Sequence, residues 1–586
     1  MRVTHCPETH AGAGPRKLLA GLGGVKCARA ASPGDPAPKQ PARRGMATRG
    51  RQLALAVVSL LASLGAFGCG DRERSASTAQ APRPTPALRI VALTDLAGAL
   101  EPCGCQSRPL GGMDKASAKL AQLRADKTPM LLVAAGDLWF GDVPEGALPG
   151  MDASTQERWK AETVIDILNR WGLAAAVPGR RDLRLGKPVF DQLASRAKFR
   201  LLPAVAPPGG EAPLSASWVT SVGGVRVGLV GATTALASGE LDSAQQRQLI
   251  AALQRDAKSA REQGAQVVVA LLSMDQRTGR RIAGAIPELD FVVQGGLDSS
   301  EVPAPSRAGE AVILRAARNG EGLLVVDLYP RNGAKYEDVS AWTRRDQNTS
   351  LTGRIQELDA KIRGWENDAT IDRGLVDQQR AKLVELRAEA KRLESPPSPA
   401  SAAFDARFVE LAPEVKPDPE IASWMDAFDA RLNDHNRTAF AAVRAPEAPA
   451  GTAHYEGSDA CKSCHAPAYA WWKETQHGRA YTTLETRHKQ FNLSCVGCHV
   501  TGYAKPGGAA VVQNQGLTHV GCESCHGAAS LHVAEPDTEP ARGLTKSPAV
   551  AVCKECHTPE HSDKFEFDTY VARLRAPGHG LPAKSP

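Results

Sequence analysis

The chain has 586 residues, 42% of them hydrophobic and 23% charged, with 13 Cys and a formal net charge of +7. That length accommodates three or four domains of ordinary size. Residues 1–68 hold ten Lys/Arg against two Asp/Glu, so the 61 basic and 62 acidic residues that follow nearly cancel. The bulk of the chain lacks the positive field on which nucleic-acid binding depends, and that class is excluded.

The basic excess sits at the amino terminus. Arg49 and Arg51 follow Met46, and an apolar run extends from Leu53 to Phe67. The run is short for a bilayer span and has the length of a secretory h-region. It ends in Ala66-Phe67-Gly68-Cys69, which resembles the cleavage box of bacterial lipoproteins and makes Cys69 the expected site of lipid attachment to a membrane. An uncleaved signal or simple anchor is the alternative. Residues 1–45, rich in Pro, Gly, Ala and Arg, precede this signal, so either Met46 is the start or the extension is unstructured. Residues 69–87 read as a tether, because Ser75 to Pro86 offers nothing to bury.

From Leu88 the pattern changes. Leu88–Leu93, Met130–Ala134, Val225–Val230, Val267–Leu272, Phe291–Val293 and Leu324–Leu328 read as buried strands. Helical periodicity lies between them, at 115–125 and 158–170. The alternation predicts a layered α/β domain over 88–330. Downstream, Leu351, Ile355, Leu358, Ile362 and Trp365 step by four and three. Val376, Leu383, Leu386, Ala390 and Leu393 resume the spacing after an interruption at 367–370. Residues 351–394 are thus a helical hairpin or short coiled coil, serving as a spacer or joining two copies of the chain. A further helix, about 419–440, completes a helical region spanning 331–445 and leads into the Ala/Pro linker at 445–450.

The last region, 450–586, carries four copies of one motif. They are Cys461-Lys-Ser-Cys464-His465, Cys495-Val-Gly-Cys498-His499, Cys522-Glu-Ser-Cys525-His526 and Cys553-Lys-Glu-Cys556-His557. C-x-x-C-H is the attachment signature of c-type haem. The two thiols form thioethers with the porphyrin vinyl groups, and the adjacent imidazole becomes the proximal iron ligand. Four copies within about a hundred residues exceed chance. Four C-x-x-C pairs would also suit two tetrathiolate zinc sites, but zinc does not require a His after every second Cys. The expectation is four covalently bound c-type haems, with His465, His499, His526 and His557 proximal. Such attachment takes place outside the cytoplasm, which accords with an export signal and a place in the periplasm or cell envelope. Of the Cys beyond Cys69, only Cys103 and Cys105 lie outside these motifs. They form a local disulfide or packed thiols on one reading, a redox dithiol or soft-metal site on another.

About 137 residues leave too little aliphatic sequence for an ordinary core, so the porphyrins must supply apolar packing. Tyr469, Trp471, Trp472 and Tyr481 are expected to pack against them. No Met follows Met425, which excludes His/Met ligation from within the region. Each iron is bis-His or has an open position. Seven more His are available: His454, His477, His488, His519, His532, His561 and His579.

Over nearly its whole length this region is similar to the nitrifier-type tetrahaem cytochrome c family. The matching text includes Trp472-Lys-Glu-Thr-Gln-His477, Cys498-His499-Val-Thr-Gly-Tyr503 and Val520-Gly-Cys-Glu-Ser-Cys-His-Gly527. Ser530-Leu-His532, Phe565-Glu-Phe-Asp-Thr-Tyr570 and a late His579 continue it. The resemblance implies that His477, His532, His579 and His519 are distal ligands, and that one iron stays five-coordinate. It implies an electron-transfer protein serving redox partner proteins, or alternatively an oxidoreductase acting on a small nitrogen or sulfur species.

Residues 88–330 resemble the periplasmic 5′-nucleotidase branch of the calcineurin-like metallophosphoesterases. Ile90-Val-Ala-Leu-Thr-Asp95, Gly111-Gly112, Ala135-Gly-Asp137-Leu-Trp-Phe-Gly141 and Gly224-Val-Arg-Val-Gly-Leu-Val-Gly231 match in order. The family's ligands do not. Ala97 replaces the His of D-x-H, Gly179-Arg180-Arg181-Asp182 replaces G-N-H-E, and Met274 replaces a strand-end His. Gly295-Gly296-Leu-Asp298 replaces the last G-H-x-H. Asp95 and Asp137 remain, with Asp182 or Asp298 as loose substitutes. Two-metal hydrolysis needs a full set of hard ligands, and two arginines repel a dication. The expectation is that fold without its hydrolysis; a phosphoesterase with a redox-sensing haem region is the alternative. The fold class expected for the whole is multidomain α/β plus α: a layered sandwich, a helical hairpin and a mostly α/irregular, haem-packed domain.

Overall fold

The computed structural model describes residues 85–581 apart from 103–105, 142–147, 203–216, 235–240, 297–300, 332–334, 367–370, 395–401, 539, 560 and 578. The export signal, Cys69, most of the tether, Cys103, Cys105 and Asp298 lie outside the described residues. Among the described residues no helix is long and apolar enough to cross a membrane.

Among the described residues thirteen strands build two facing sheets. In chain order they are β1 (Leu88–Thr94), β2 (Met130–Gly136), β3 (Ala175–Pro178), β4 (Arg200–Leu201), β5 (Trp218–Val222), β6 (Val225–Thr233) and β7 (Val267–Ser273). They continue with β8 (Phe291–Gly295), β9 (Ser306–Ala308), β10 (Ala311–Leu314), β11 (Gly322–Tyr329), β12 (Tyr336–Asp338) and β13 (Ala402–Glu410). The first sheet runs β12-β13-β11-β1-β2-β3-β4 and the second β5-β6-β7-β8-β10-β9. β1 to β4 are mutually parallel, as are β6, β7, β8 and β10. Both faces of these central strands are covered, which is why β1 and β7 are apolar almost without alternation and buried at every residue.

The helices that matter to the packing are α1 (Met113–Ala125), α2 (Ser154–Trp171), α3 (Lys187–Arg196), α4 (Ser243–Glu262) and α5 (Gln276–Ala285). They are followed by α6 (Ala341–Glu366), α7 (Arg373–Leu393) and α8 (Pro419–Ala439). Ile90, Val133 and Val177 of the first sheet meet Leu229, Val269 and Phe291 of the second in the central core. Leu120, Ile165, Leu193 and Leu432 from α1, α2, α3 and α8 cover the outer face of the first sheet. Leu253 of α4 and Ile282 of α5 cover that of the second. The order is helix, sheet, sheet, helix.

Where the sheets meet, Gly231 has no room for a side chain. A Cβ there would lie 2.5 Å from Val177 Cγ2 and 2.7 Å from Leu202 Cβ. Gly231→Ala should therefore cost on the order of 1–2 kcal/mol through overpacking, visible as a lowered thermal midpoint with unchanged cofactor content.

The α/β layer does not stop near residue 330, where the sequence pattern places its boundary. β13 inserts between β12 and β11, pairing residue by residue with β11 from Gly322↔Glu410 to Tyr329↔Ala403. α8 closes over α1 and α2, its N-cap Asp418 accepting from Glu420 N at 2.9 Å and from Ser117 Oγ at 2.7 Å. The α6/α7 hairpin is thus an excursion between two strands of one sheet. Its apolar stripe is used internally: Ile362, Val376 and Leu383 form a small core with Ile355, Leu358 and Trp365. Leu375 and Val384 remain exposed.

Candidate functional site

Parallel α/β sheets open their clefts at the carboxyl ends of the strands, and Asp95, Asp137 and Asp182 follow β1, β2 and β3 there. Their oxygens are already engaged. Asp95 Oδ1 accepts from Gly296 N at 2.8 Å and Asp137 N at 3.2 Å. Asp137 accepts Arg181 N on one oxygen, 2.7 Å, and Arg181 Nη1 on the other, 2.8 Å. Asp182 accepts from Trp139 N at 2.7 Å, Leu138 N at 3.0 Å and Gly179 N at 2.9 Å. Burial and the neighbouring Asp137 carboxylate push Asp182 up to about 7, against the pull of those three donors. The guanidinium of Arg181 lies where a cation would balance Asp137. Ala97, at the D-x-H position, has φ 52° and carries no donor atom.

The C-terminal region is organised differently. Each C-x-x-C-H is a single turn: His465 N donates to Cys461 O and His557 N to Cys553 O, both at 2.9 Å, while Val496–His499 and Cys522–His526 are helical. Residues three and four apart share one side of a turn, so two thiols and an imidazole face the same way. One described apolar cluster belongs mainly to this region, around Tyr481, Leu493, Val496, Val500, Val511 and Leu517. The eight motif thiols are half-buried, or exposed in the case of Cys464. Thiols of different motifs are neighbours in two pairs, Cys461 with Cys522 and Cys498 with Cys556.

The histidines are brought together across motifs. Ring centroids are 6.3 Å apart for His465 and His532, 6.2 Å for His557 and His477, and 6.0 Å for His526 and His579. An iron between two imidazole nitrogens separates ring centroids by two bonds of about 2.0 Å and two ring radii of about 1.1 Å, roughly 6.2 Å in all. The three pairs fit that spacing. Each joins a motif histidine to one of those expected to be distal.

Tautomers agree. His526 Nδ1 lies 2.7 Å from Thr545 O, His579 Nδ1 2.8 Å from Leu574 O and His499 Nδ1 2.6 Å from Ala480 O. A carbonyl only accepts, so Nδ1 carries the proton and the Nε2 lone pair is left for a metal. Burial lowers the basicity of His477, His499 and His557, favouring the neutral ring that ligation requires. His532 Nδ1 is buried without a hydrogen-bond partner.

His519 is placed otherwise. Its Nδ1 accepts from Tyr481 N at 3.1 Å, which leaves the proton of the neutral ring on Nε2. Its ring contacts are Trp472 and Tyr481, each at 6.3 Å. His519 feels the charge of His499, although the two make no described ring contact. Of the other histidines, His454 pairs with Glu456 at 2.9 Å and His561 bonds Thr558 at 2.9 Å. Trp471 stacks on His579 at 4.9 Å and 7°, so one of the four aromatics expected against porphyrin buttresses a histidine.

Two features lay outside the sequence reading. Glu523, inside the third motif and 3% exposed, accepts from Glu456 N, Gly457 N and Ala529 N at 3.0, 2.7 and 2.8 Å. It ties the third motif to the approach of the first, and a charged residue in an x position gives no signal of that in sequence. Second, the α/β domain grips the segment just before Cys495. Lys489 Nζ is 2.5 Å from Glu101 Oε2 and 3.1 Å from Asp429 Oδ2. Asn436 Nδ2 donates to Phe491 O at 2.9 Å, and Leu493 N donates to Gln156 Oε1 at 3.1 Å. Ser107 reaches Asp563 beyond the fourth motif through its N at 2.9 Å and its Oγ at 2.7 Å.

Residues 460–527 match the family model described as cytochrome c554 and c-prime. Cytochrome c-554 of Nitrosomonas europaea is 36% identical over 94 residues, which span 13% of this chain and 40% of that protein. The chain thus spans less than half the length of this relative. Similar solved structures include a 5′-nucleotidase precursor from Thermus thermophilus, with 15% identity, 59% of each chain covered and a TM-score of 0.40. A sulfate thiohydrolase from the same species has 16% identity over 60% of this chain and 62% of its own, with a TM-score of 0.39. The calcineurin-like phosphoesterase YfkN from Bacillus subtilis has 16% identity over 42% of this chain and 86% of its own, with a TM-score of 0.34.

Proposed function

We propose that the chain is an exported multihaem c-type cytochrome that transfers electrons in the bacterial envelope, with four haems held on its four C-x-x-C-H turns. The observation that carries this reading is the set of three cross-motif histidine pairs at 6.0–6.3 Å. When bound, c-type haem supplies a one-electron ferric/ferrous couple whose potential the protein tunes. Cys461/Cys464, Cys495/Cys498, Cys522/Cys525 and Cys553/Cys556 would hold the groups covalently. His465 with His532, His557 with His477 and His526 with His579 would hold iron. His499 would hold it from one side. His519, with the opposite tautomer, supports Tyr481 instead of ligating.

The thiol pairs, first motif with third and second with fourth, support two neighbouring pairs of groups along which charge would move. Redox partner proteins would meet this region at its exposed motif edges. The signal-like amino terminus and its Cys69 support a lipid-anchored envelope location. The α6/α7 hairpin, whose apolar stripe is consumed internally, serves as a spacer more readily than as a dimer seam.

The α/β domain, metallophosphoesterase-like in its motifs, would be hydrolytically silent and act as the platform that grips the haem region. Its remaining carboxylates are occupied by backbone donors and Arg181. A second reading has one supporting observation: with no ring facing His499 among the described contacts, a small nitrogen or sulfur species could be turned over at that position.

The test is a haem count by pyridine haemochrome and intact mass on the exported protein. Four covalent haems per chain are expected; zinc without haem would overturn the proposal.

A further inference from the structure

The junction between the two regions holds a buried charge cluster. Lys489 is 15% exposed, Glu101 27% and Asp429 7%, and the lysine touches both carboxylates. The cluster draws on three separate parts of the chain: the loop after β1, the middle of α8, and the strand of chain entering the second haem motif. Two carboxylates and one ammonium leave a net charge of −1 when all are ionised, and one proton cancels it. Cys495, the first attachment thiol of that motif, feels all three charges.

We propose that the Glu101–Lys489–Asp429 cluster is the proton-uptake site for the haem carried on Cys495 and Cys498, so that Asp429 gains one proton from solvent for each electron a one-electron donor delivers to that iron. This rests on the reading of 495–499 as a haem attachment turn. The balance is simple: ferric iron becomes ferrous, adding one negative charge beside the cluster, and the Asp429 carboxylate becomes a carboxylic acid. No bond to a heavy atom forms or breaks. An added negative charge nearby always favours the protonated form of an acid, and the effect is strong only where burial limits screening.

Asp429 is poised for this. Burial pushes its carboxyl up to about 7; Lys489 pulls it down, and the Glu101 carboxylate pushes it up again. From α1, Asp114 also feels the Glu101 carboxylate, and Lys115 partly offsets it. On α2, packed against α8, Glu157 is paired with Lys160 at 2.9 Å. On α8 itself, Arg431 stacks on Trp159 at 3.6 Å and Asn433 Oδ1 accepts from Phe491 N at 3.3 Å. Lys489 is therefore the cation in contact with Asp429, and Glu101 the anion whose charge opposes its ionisation.

The experiment is a spectroelectrochemical titration of the holoprotein from about pH 5.5 to 8.5, bracketing the window that the Asp429 shift sets, with wild type and Asp429→Asn compared and haem counted in each. In wild type one haem midpoint should fall with rising pH, approaching a tenfold change in the reduction equilibrium per pH unit, about 59 mV. Asp429→Asn should abolish that slope and leave the other midpoints in place. Flat midpoints in wild type, or the same slope in both proteins, would overturn the inference. If Asp429→Asn does not accumulate, Glu101→Gln decides. Removing the opposing anion should move the titrating window to lower pH, and an unmoved window counts against the cluster. Four haems with flat midpoints would sink this inference alone, whereas absence of haem would sink the function on which it rests.

Discussion

Holoprotein carrying His532→Ala should retain four haems yet gain one high-spin equivalent in its optical and electron-paramagnetic spectra. His532 faces His465 at 6.3 Å with an interplanar angle of 34°, and the two rings come from different parts of the haem region. Attachment depends on the thiols of 461 and 464, so the haem count should survive. What is lost is the second strong-field nitrogen, and with it the low-spin state of one iron in four. His519→Ala is the control. Its Nδ1 accepts from Tyr481 N, so its loss should alter local packing and leave the spin count as in wild type. The opposite outcome, a new high-spin haem from His519→Ala and none from His532→Ala, would reverse the distal assignment.

Arg181→Ala should be the most damaging single change in the α/β cleft. It strips Asp137, whose side chain is 6% exposed, of a guanidinium partner that is itself 26% exposed. It leaves that carboxylate beside Asp182, which is 1% exposed. Removing one partner of a buried pair costs about 3–5 kcal/mol; the partial exposure of the arginine places this case near the lower end. The loss should appear as a lower urea midpoint with unchanged slope. Wild type should show no change in that midpoint on treatment with EDTA, because Arg181 pairs with Asp137. A stability drop on chelation, or metal-dependent nucleotide hydrolysis lost with Asp95→Ala, would return the domain to catalysis.

The parts of this protein that were legible in sequence are those whose chemistry or burial is local. A C-x-x-C-H turn must keep its spacing because two thioether bonds and an axial bond reach one cofactor. Buried parallel strands such as Val267–Ser273 must be apolar on both faces, and this one emerges within a residue of the pattern, whereas β6 runs three residues past it and the short β3 and β10 gave too little pattern to be read. β13 was not legible. Ala-Ala-Phe-Asp-Ala-Arg-Phe-Val-Glu alternates with charges, because its outward face is partly solvated near the sheet edge, and it follows a long helical excursion. Its partner β11 lies some eighty residues upstream, Asp327 facing Asp405, a pairing no local window contains.

The same limit applied to the site. Proximal histidines are fixed by adjacency, but the pairing of His465 with His532 is a long-range contact that the family resemblance hinted at and geometry supplies. Lys489, Asp429 and Glu101 each look like residues of a solvated face when read alone. Only their convergence at one junction marks them.

On the proposed function, paired histidines would hold three irons and His499 alone would hold the fourth. An electron-paramagnetic spectrum of the oxidised, fully loaded protein counts the two kinds of iron. Three low-spin ferric signals and one high-spin signal per chain are expected, and His499→Ala should leave the three low-spin signals in place. Four high-spin irons, or a spectrum without haem iron, would contradict that reading.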